Sequence, residues 1–507
     1  MSGGLVLAID QGTSSTKCLV VDDRGAVVGH AQAPLSVTTP QPGWVQQDGN
    51  EIWDSVRGAV ADALNTIPQD RITSVGFSTQ RESCIIWDRR SGEALTPVLS
   101  WQDQRTEAIC ARLRTNGAAA TVRCKSGLPL DPMFSAAKAR WLLDNLTAGQ
   151  ARAKAGDVCI GTIDAFLLSR FGSEAVVEAG NASRTQLFDV ATARWDEELL
   201  SIFDVPLAAL PRVTASKGPF PSVKGLAPLR DGTPVGAVLA DSHAALFAHG
   251  AFAPGPVKAT HGTGASVMGL VDRGTVRDGN AGAPGVCLTL AWELDSPVLA
   301  FEGNIRSAGS TLVWTAQLLG ISTKELAELA ATVGAPSGVH IVPAFGGLGA
   351  PWWDANAIAT ISGLSFGPSR APLARAALDS IAHQIADTTD AVRAGGATID
   401  CLLVDGGPTR NPQLMQFEAD MVGVPVERPA VAELSAMGAA HLAGLSSGLF
   451  TWDGLRRLDR GSERFMPRME TEARAKERAA WSRAVAGSRG LPIKETANDP
   501  VSTSRGI

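Results

Sequence analysis

Apolar runs of strand length alternate along this chain with stretches whose apolar residues recur every three or four positions. The first run, Leu5-Val6-Leu7-Ala8-Ile9, ends on Asp10 and enters the small polar turn Gln11-Gly12-Thr13-Ser14-Ser15-Thr16-Lys17. It returns as Cys18-Leu19-Val20-Val21 and turns again at Asp22-Asp23-Arg24-Gly25, a pattern that predicts a hairpin. Ile72–Phe77 and Cys401–Val404 read as further strands. Ile52, Val56, Ala59, Val60, Ala63 and Leu64 share one face of a helix capped by Asn50. Leu373, Ala377, Ile381 and Ile385 form a second helical stripe, stopped by Gly395-Gly396. Asn411-Pro412 supplies a cap and a first-turn proline, and Gly423 a stop, for a helix carrying Leu414, Phe417 and Met421. Strands alternating with helices place the chain in the α/β class.

The opening pattern recurs. Pro256–His261 leads into Gly262-Thr263-Gly264-Ala265-Ser266 and continues as Val267-Met268-Gly269-Leu270-Val271-Asp272-Arg273-Gly274. Strand, Gly-Thr turn, strand and Asp-Arg-Gly are shared, at a separation of about half the chain, which implies two lobes of common design rather than a solenoid. His249-Gly250-Ala251-Phe252-Ala253-Pro254-Gly255-Pro256 interrupts any regular element. The expected division is therefore 1–250, 251–480 and a polar tail over 481–507.

Composition narrows the classes of partner. With 507 residues, 45% hydrophobic and 19% charged, the chain can bury a large core and is not disordered. A net charge of −6 without a basic block disfavours nucleic acid and anionic membranes. The sequence has no run of about 20 apolar residues, and Met1-Ser2-Gly3-Gly4 lacks the order of a secretion signal. Seven cysteines without a C-x-x-C pair read as reduced thiols of a cytoplasmic protein.

Several segments can carry chemistry. Asp10 at a strand end, followed by Gly12, Thr13, Ser14, Ser15 and the cation Lys17, suits phosphate and magnesium, although it is not a Walker sequence and a plain hairpin also favours these residues. Gly262-Thr263-Gly264 is a second such turn, and the two could grip one polyphosphate between them. Asp405-Gly406-Gly407-Pro408, between a strand and the helix at Asn411, resembles a nucleotide seat. Glu302-Gly303-Asn304 and Ser307-Ala308-Gly309-Ser310 read as a similar opening of a helix. Arg81 and Glu82 together offer donors and an acceptor to neighbouring hydroxyls, and Trp101 an apolar face to the carbons between them. Asp241, between an apolar strand and a small-residue helix, fits either a general base or a helix cap. His243 reads as a core or cap histidine.

In this order, Asp10–Ser15, Pro42-Gly43-Trp44-Val45, Gln80-Arg81-Glu82, Phe134–Trp141, Asn181-Ala182-Ser183-Arg184-Thr185, Gly262-Thr263-Gly264, Pro343–Asp354 and Asp405-Gly406-Gly407 resemble the FGGY family of carbohydrate kinases, and its glycerol kinases most of all. The resemblance spans about residues 5–470. It implies two actin-like (ribonuclease H-like) domains around a deep cleft, with ATP and Mg²⁺ as cofactors. It implies Asp10 near the metal, Thr13, Ser14, Ser15 and Lys17 at the phosphates, and Thr263, Gly309, Gly407 and Asn411 along the nucleotide. Arg81, Glu82, Trp101 and Asp241 would hold a small polyol or sugar, with Asp241 as the base. Homodimers and homotetramers are common in the family, and either is the implied assembly.

The pocket departs from the glycerol kinase pattern. Met133 stands where those enzymes have Tyr, Ser242 where they have Gln, Ser266 where they have Phe, and Lys17 where they usually have Arg; the chain contains no Tyr at all. Lost polar partners and smaller side chains favour an acceptor equal to or longer than glycerol, including four- or five-carbon ketoses such as erythrulose, xylulose or ribulose. An actin-like ATPase without a polyol site, and a sugar-binding regulator without catalysis, are the rival classes. The set Arg81, Glu82, Trp101 and Asp241 argues against the first, and the retained Asp10 and Asp241 argue against the second.

Overall fold

The computed structural model describes residues 3–172, 174–272, 274, 285–334, 337–366, 370–431 and 433–490. Two large sheets organise it. The first contains β1 (Leu5–Gln11), β2 (Ser15–Val21), β3 (Val27–Pro34), β4 (Ile72–Thr79) and β5 (Val235–Ala240), in the spatial order β5-β4-β1-β2-β3. The second contains β6 (Gly255–His261), β7 (Ala265–Leu270), β8 (Cys287–Glu293), β9 (Pro297–Ile305), β10 (Ile399–Gly406), β11 (Val426–Arg428) and β12 (Glu463–Phe465), in the order β8-β9-β7-β6-β10-β11-β12.

The repeat seen in the sequence is a repeat of topology. β1 pairs antiparallel with β2 and parallel with β4; β6 pairs antiparallel with β7 and parallel with β10. Each half thus opens with a hairpin whose first strand receives a later strand alongside it. The registers match at the strand ends: Asp10 lies opposite Ser78, and Thr260 opposite Asp405. Asp10 Oδ1 accepts a hydrogen bond from Ser78 Oγ at 2.8 Å, and Asp405 Oδ2 accepts one from Thr260 Oγ1 at 3.0 Å. A carboxylate and a hydroxyl bridge the central strands in both lobes, with the two partners exchanged between strands.

Helix α1 (Gly49–Ala63) buries Ile52, Val56, Ala59, Val60 and Ala63 against the first sheet, as its periodicity predicts. Its cap is Asp48 rather than the expected Asn50: the Asp48 carboxylate accepts from the backbone N–H groups of Asn50 and Glu51, and an ionised acceptor makes the stronger bond. Between the sheets lie α2 (Asp241–Ala248) and, further along the chain, a helix over Leu434–Ser446; they join Val6, Ala8, Leu239, Met268 and Leu403 in one apolar layer. On the far side of the second sheet are α3 (Gly309–Leu319), α4 (Ala371–Ala394) and α5 (Pro412–Val422); the Leu434–Ser446 helix is α6. α5 has the expected ends, with Asn411 accepting from the N–H groups of Gln413 and Leu414, and Gly423 left-handed at φ 77°.

A last helix, α7 (Thr471–Ser488), runs through the division expected at residue 480, and its own Trp481 and Val485 are buried. The polar tail drawn from 481 therefore begins inside packed structure, and residues 491–507 of it lie outside the described residues. The sequence missed this because the apolar side chains of α7 are few and widely spaced.

α2 and α6 cross at van der Waals distance because Gly438 has no side chain. A Cβ there would lie 1.8 Å from the Ala244 carbonyl oxygen, a clash with backbone that cannot rotate away. Gly438→Ala is expected to destabilise the protein by roughly 1–3 kcal/mol. A lower denaturant midpoint at unchanged slope is the reading expected. A variant as stable as the parent would show that the two helices separate without cost.

Candidate active site

The two hairpin turns face a common cleft. A small cavity of about 280 Å³ is lined by Thr13, Arg81, Glu82, Trp101, Met133 and Asp241 from the first half and by Thr260, the Gly262–Ser266 turn and Asn304–Arg306 from the second. A larger groove of about 1080 Å³ is lined by Gly309, Ser310, Trp314, Gly407, Pro408 and Asn411, among others. Gly262 and Thr263 line both, so the two spaces meet at the second turn. Within the first-half wall, Trp101 Nε1 donates to Thr13 Oγ1 at 3.0 Å.

Beneath the small cavity is a buried ion network. Arg81 donates from Nη1 to Glu302 Oε2 at 2.7 Å and brings Nε to 2.9 Å from Asp241 Oδ1. Arg184, fully buried, donates from Nε to Glu82 Oε1 at 2.7 Å and places Nη2 2.9 Å from Glu302 Oε2. Glu302 also accepts from Ser266 Oγ at 2.8 Å and Asn304 Nδ2 at 3.2 Å. Burial opposes the charge on Glu302, yet Arg184 and Arg81 hold its carboxyl well below the usual carboxylate range. The same surroundings keep the Arg81 guanidinium charged in spite of burial. Glu82 sits at φ 61°, a left-handed conformation that is strained for a residue with a side chain. Arg184 fixes its carboxylate, and Ser135 Oγ donates to its carbonyl at 3.1 Å.

Asp241 is the first residue of α2. The cap position belongs to Ala240, which offers no side-chain acceptor, so the carboxylate is not spent on a cap and its side chain is 36% exposed to the cleft. Its Oδ1 accepts from the N–H of Ser242 at 2.6 Å. His243 lies wholly buried below it, where burial holds the imidazole neutral.

Met133 is held from two sides. Its N–H donates to Asp131 Oδ1 at 2.9 Å, and Asp131 Oδ2 receives Arg306 Nη2 from the opposite half at 3.0 Å. Below, the buried Lys138 ammonium donates to the carbonyls of Pro132, at 2.8 Å, and Met133. Burial lowers that ammonium to about 8. The backbone of Met133 is therefore fixed where its side chain lines the small cavity.

At the first turn, burial pushes the Asp10 carboxyl up to about 7; the Ser78 hydrogen bond works against this, and Asp241 and Glu433 add like charge. Carboxylates thus converge on the floor of the cleft. A divalent cation beside Asp10 fits this donor set, because it would supply the missing counter-charge.

Most of the residues singled out in the sequence come together. Arg81, Glu82, Trp101, Met133, Asp241, Ser266 and Thr13 line the small cavity, Gly309, Gly407 and Asn411 the groove, and Thr263 both. Five of them fall elsewhere. Asp10 lies near the end of β1 and lines neither space. Ser14 is exposed at the tip of its turn, Ser15 is buried as the first residue of β2, and Ser242 follows Asp241 into α2 without lining the cavity. Lys17 pairs with Glu433 at 2.6 Å. The expectation that Glu302-Gly303-Asn304 opens a helix is corrected: these residues belong to β9, and their alternation sends Glu302 and Asn304 to the face carrying Ser266. Arg184 and Glu302 were not recognised as site residues. The available signal was a pair of charges within otherwise apolar and small-residue stretches, which burial makes costly unless they are paired.

Comparison with known proteins gives a family. Residues 5–248 match the model of the FGGY family of carbohydrate kinases, N-terminal domain, and residues 257–447 that of the C-terminal domain. An apulose kinase of Pectobacterium atrosepticum is 40% identical over 495 residues, covering 96% of this chain and 99% of that protein. A glycerol kinase of Burkholderia ambifaria is 40% identical over 494 residues, covering 96% and 98%. Among solved structures, a Plasmodium falciparum glycerol kinase with ADP superposes with a TM-score of 0.88 at 29% identity, covering 96% of this chain and 98% of that one.

Proposed function

The chain belongs to the FGGY family of carbohydrate kinases, ATP-dependent phosphotransferases with an alcohol acceptor, and from that premise we propose the roles of its residues and the size of its acceptor. The junction of the two cavities at Gly262 and Thr263 carries the reading. ATP lies in the larger groove along Gly309, Gly407 and Asn411, with its phosphates directed to the Gly-Thr turns. The acceptor lies in the smaller cavity, where Arg81 and Glu82 bind neighbouring hydroxyls and Trp101 covers the carbons between them.

Asp241 takes the proton from the attacking hydroxyl as that oxygen bonds to the γ-phosphorus and ADP leaves. Arg81 orients the carboxylate. Asp10 would hold Mg²⁺, which would supply positive charge against the phosphates. Closure of the cleft excludes water and limits hydrolysis of ATP. An ATP-using enzyme whose seven cysteines include no C-x-x-C pair suits the cytoplasm. Among the described residues no helix is long and apolar enough to cross a membrane.

The acceptor is a polyol larger than glycerol or a ketose of four or five carbons. Met133 and Ser266 line the cavity, one unable to donate a hydrogen bond and the other small and already donating to Glu302. A coupled ADP-release assay over glycerol, erythritol, threitol, erythrulose, xylulose, ribulose and apulose tests this, the last being the acceptor in the name of the Pectobacterium relative. Higher kcat/KM for a four- or five-carbon acceptor than for glycerol is the expected result. Met133→Tyr should move the preference toward glycerol by about tenfold, the worth of one hydrogen bond at the net values measured in proteins. Exclusive use of glycerol by the parent enzyme would defeat the larger-acceptor reading while leaving the kinase assignment intact.

A further inference from the structure

Far from the cleft, on the outer side of the second sheet, three buried ligand-type residues converge from separate parts of the chain. His340 comes from a short strand over His340–Val342, His383 from the middle of α4 and Glu477 from α7. Glu477 Oε1 lies 3.4 Å from His383 Nε2 and 3.9 Å from His340 Nδ1. One donor atom of each of the three residues lies within 4.8 Å of the other two. All three are buried, and His383 is only 1% exposed.

His383 supplies the second observation. Both ring nitrogens are shut off from solvent: Nδ1 has no hydrogen-bond partner among the described residues, and Nε2 has only the loose 3.4 Å contact with the Glu477 carboxylate. A buried polar atom without a partner loses its hydration and regains nothing. The ring is not free to turn away: it stacks on Trp481 at 4.7 Å with 5° between the planes, and Trp481 Nε1 is anchored to Asp387 Oδ2 at 2.8 Å. Two nearby cations have carboxylate partners of their own. Arg375 pairs with Asp379 at 2.7 Å, and Arg478 with Asp387 at 2.6 Å and Asp390 at 2.9 Å. Glu477 is thus the carboxylate that faces the two imidazoles.

We propose that His340, His383 and Glu477 bind one transition-metal ion of the Zn²⁺ class, which fastens α7 to α4. Two imidazoles and one carboxylate form a mixed nitrogen and oxygen set suited to zinc, with a fourth position for water. Magnesium and calcium require oxygen donors throughout and are poorly served. Bonds of about 2.0–2.1 Å to the nitrogens would draw the widest pair of donor atoms together by roughly 1.5 Å, within reach of side-chain adjustment. The ion gives His383 a ligand bond in place of its loose contact with Glu477 and joins the last helix to the body of the second lobe. This site takes no part in phosphoryl transfer.

The test uses the full-length protein, stripped with chelator, desalted and titrated with Zn²⁺ in excess Mg²⁺, which occupies the cleft. One Zn²⁺ per chain is expected, with a rise in melting midpoint of at least about 3 °C. Co²⁺ in its place should give the visible absorption of a low-coordinate nitrogen and oxygen site. His340→Gln and Glu477→Gln should each abolish binding and the Co²⁺ spectrum, whereas Asp10→Asn should retain both. The wild-type Co²⁺ spectrum and Zn²⁺ count serve as the reading if a variant fails to fold. Absence of Zn²⁺ binding in excess Mg²⁺, or binding that survives His340→Gln and Glu477→Gln and disappears in Asp10→Asn, overturns the proposal.

Discussion

Asp241→Asn is expected to lower kcat by about 10²–10⁴-fold, the usual worth of a positioned general base, and to leave ATP binding within a factor of about two. The substitution keeps the shape of the side chain and removes its capacity to take a proton. Both close contacts of the carboxylate fall on Oδ1, from the Arg81 guanidinium and the Ser242 N–H, which leaves Oδ2 for the acceptor hydroxyl. ATP binding should persist because the larger groove does not include Asp241. Single-turnover transfer, measured beside equilibrium nucleotide binding, separates the two effects. Near-normal turnover would remove Asp241 from the role of base and send the search to another carboxylate in the cleft. A parallel loss of nucleotide affinity would point to a collapsed cleft rather than a missing base.

Glu302→Ala is expected to cost roughly 3–5 kcal/mol of stability, because it leaves two buried guanidinium groups without the charge between them. Arg81 and Arg184 both approach Glu302 Oε2, within 2.7 and 2.9 Å. Their other partners cannot replace it: Glu82 is held by Arg184 in a strained backbone position, and Asp241 is partly exposed to the cleft. Arg81 would lose the bond that aims it, so KM for the acceptor should rise even at temperatures where the variant is folded. Thermal unfolding and acceptor KM together check this. Glu302→Gln, which preserves shape and can still accept a hydrogen bond, should recover part of the stability but little of the affinity. An unchanged melting midpoint in Glu302→Ala would mean that water or another carboxylate compensates the two arginines.

The sequence revealed the parts that depend on local rules. Hairpins, the α5 cap at Asn411 and its stop at Gly423 follow from turn and cap chemistry over a few residues. The repeat was visible because both lobes spell the same hairpin. The cleft residues were visible because polar groups at the ends of apolar strands stand out. What could not be read depends on contacts between distant segments. Lys17 reads as a free cation until Glu433, more than 400 residues later in the chain, is placed beside it. Glu302 reads as part of a glycine-rich opening until the register of β9 against β7 sets its direction. α7 shows little apolar patterning, and its place is fixed by Trp481 against His383 rather than by a continuous stripe. Ser14 and Ser15 share a motif with Thr13, yet only Thr13, in the turn before β2, lines the cavity, while Ser14 is exposed at the turn's tip and Ser15 is buried as β2 begins.

The exchange of carboxylate and hydroxyl between the central strands of the two lobes has a consequence for the polarity of the reaction. Two hairpins of one build, facing each other, give a crevice with nearly equivalent ends, and such a crevice alone would not distinguish donor from acceptor. The distinction comes from material outside the duplicated hairpins. The Met133 loop, pinned by Asp131 and Lys138, walls the smaller space of about 280 Å³, and the groove along α3 and α5, of about 1080 Å³, is the larger. Phosphate travels one way through a near-symmetric frame because its accessories are not symmetric.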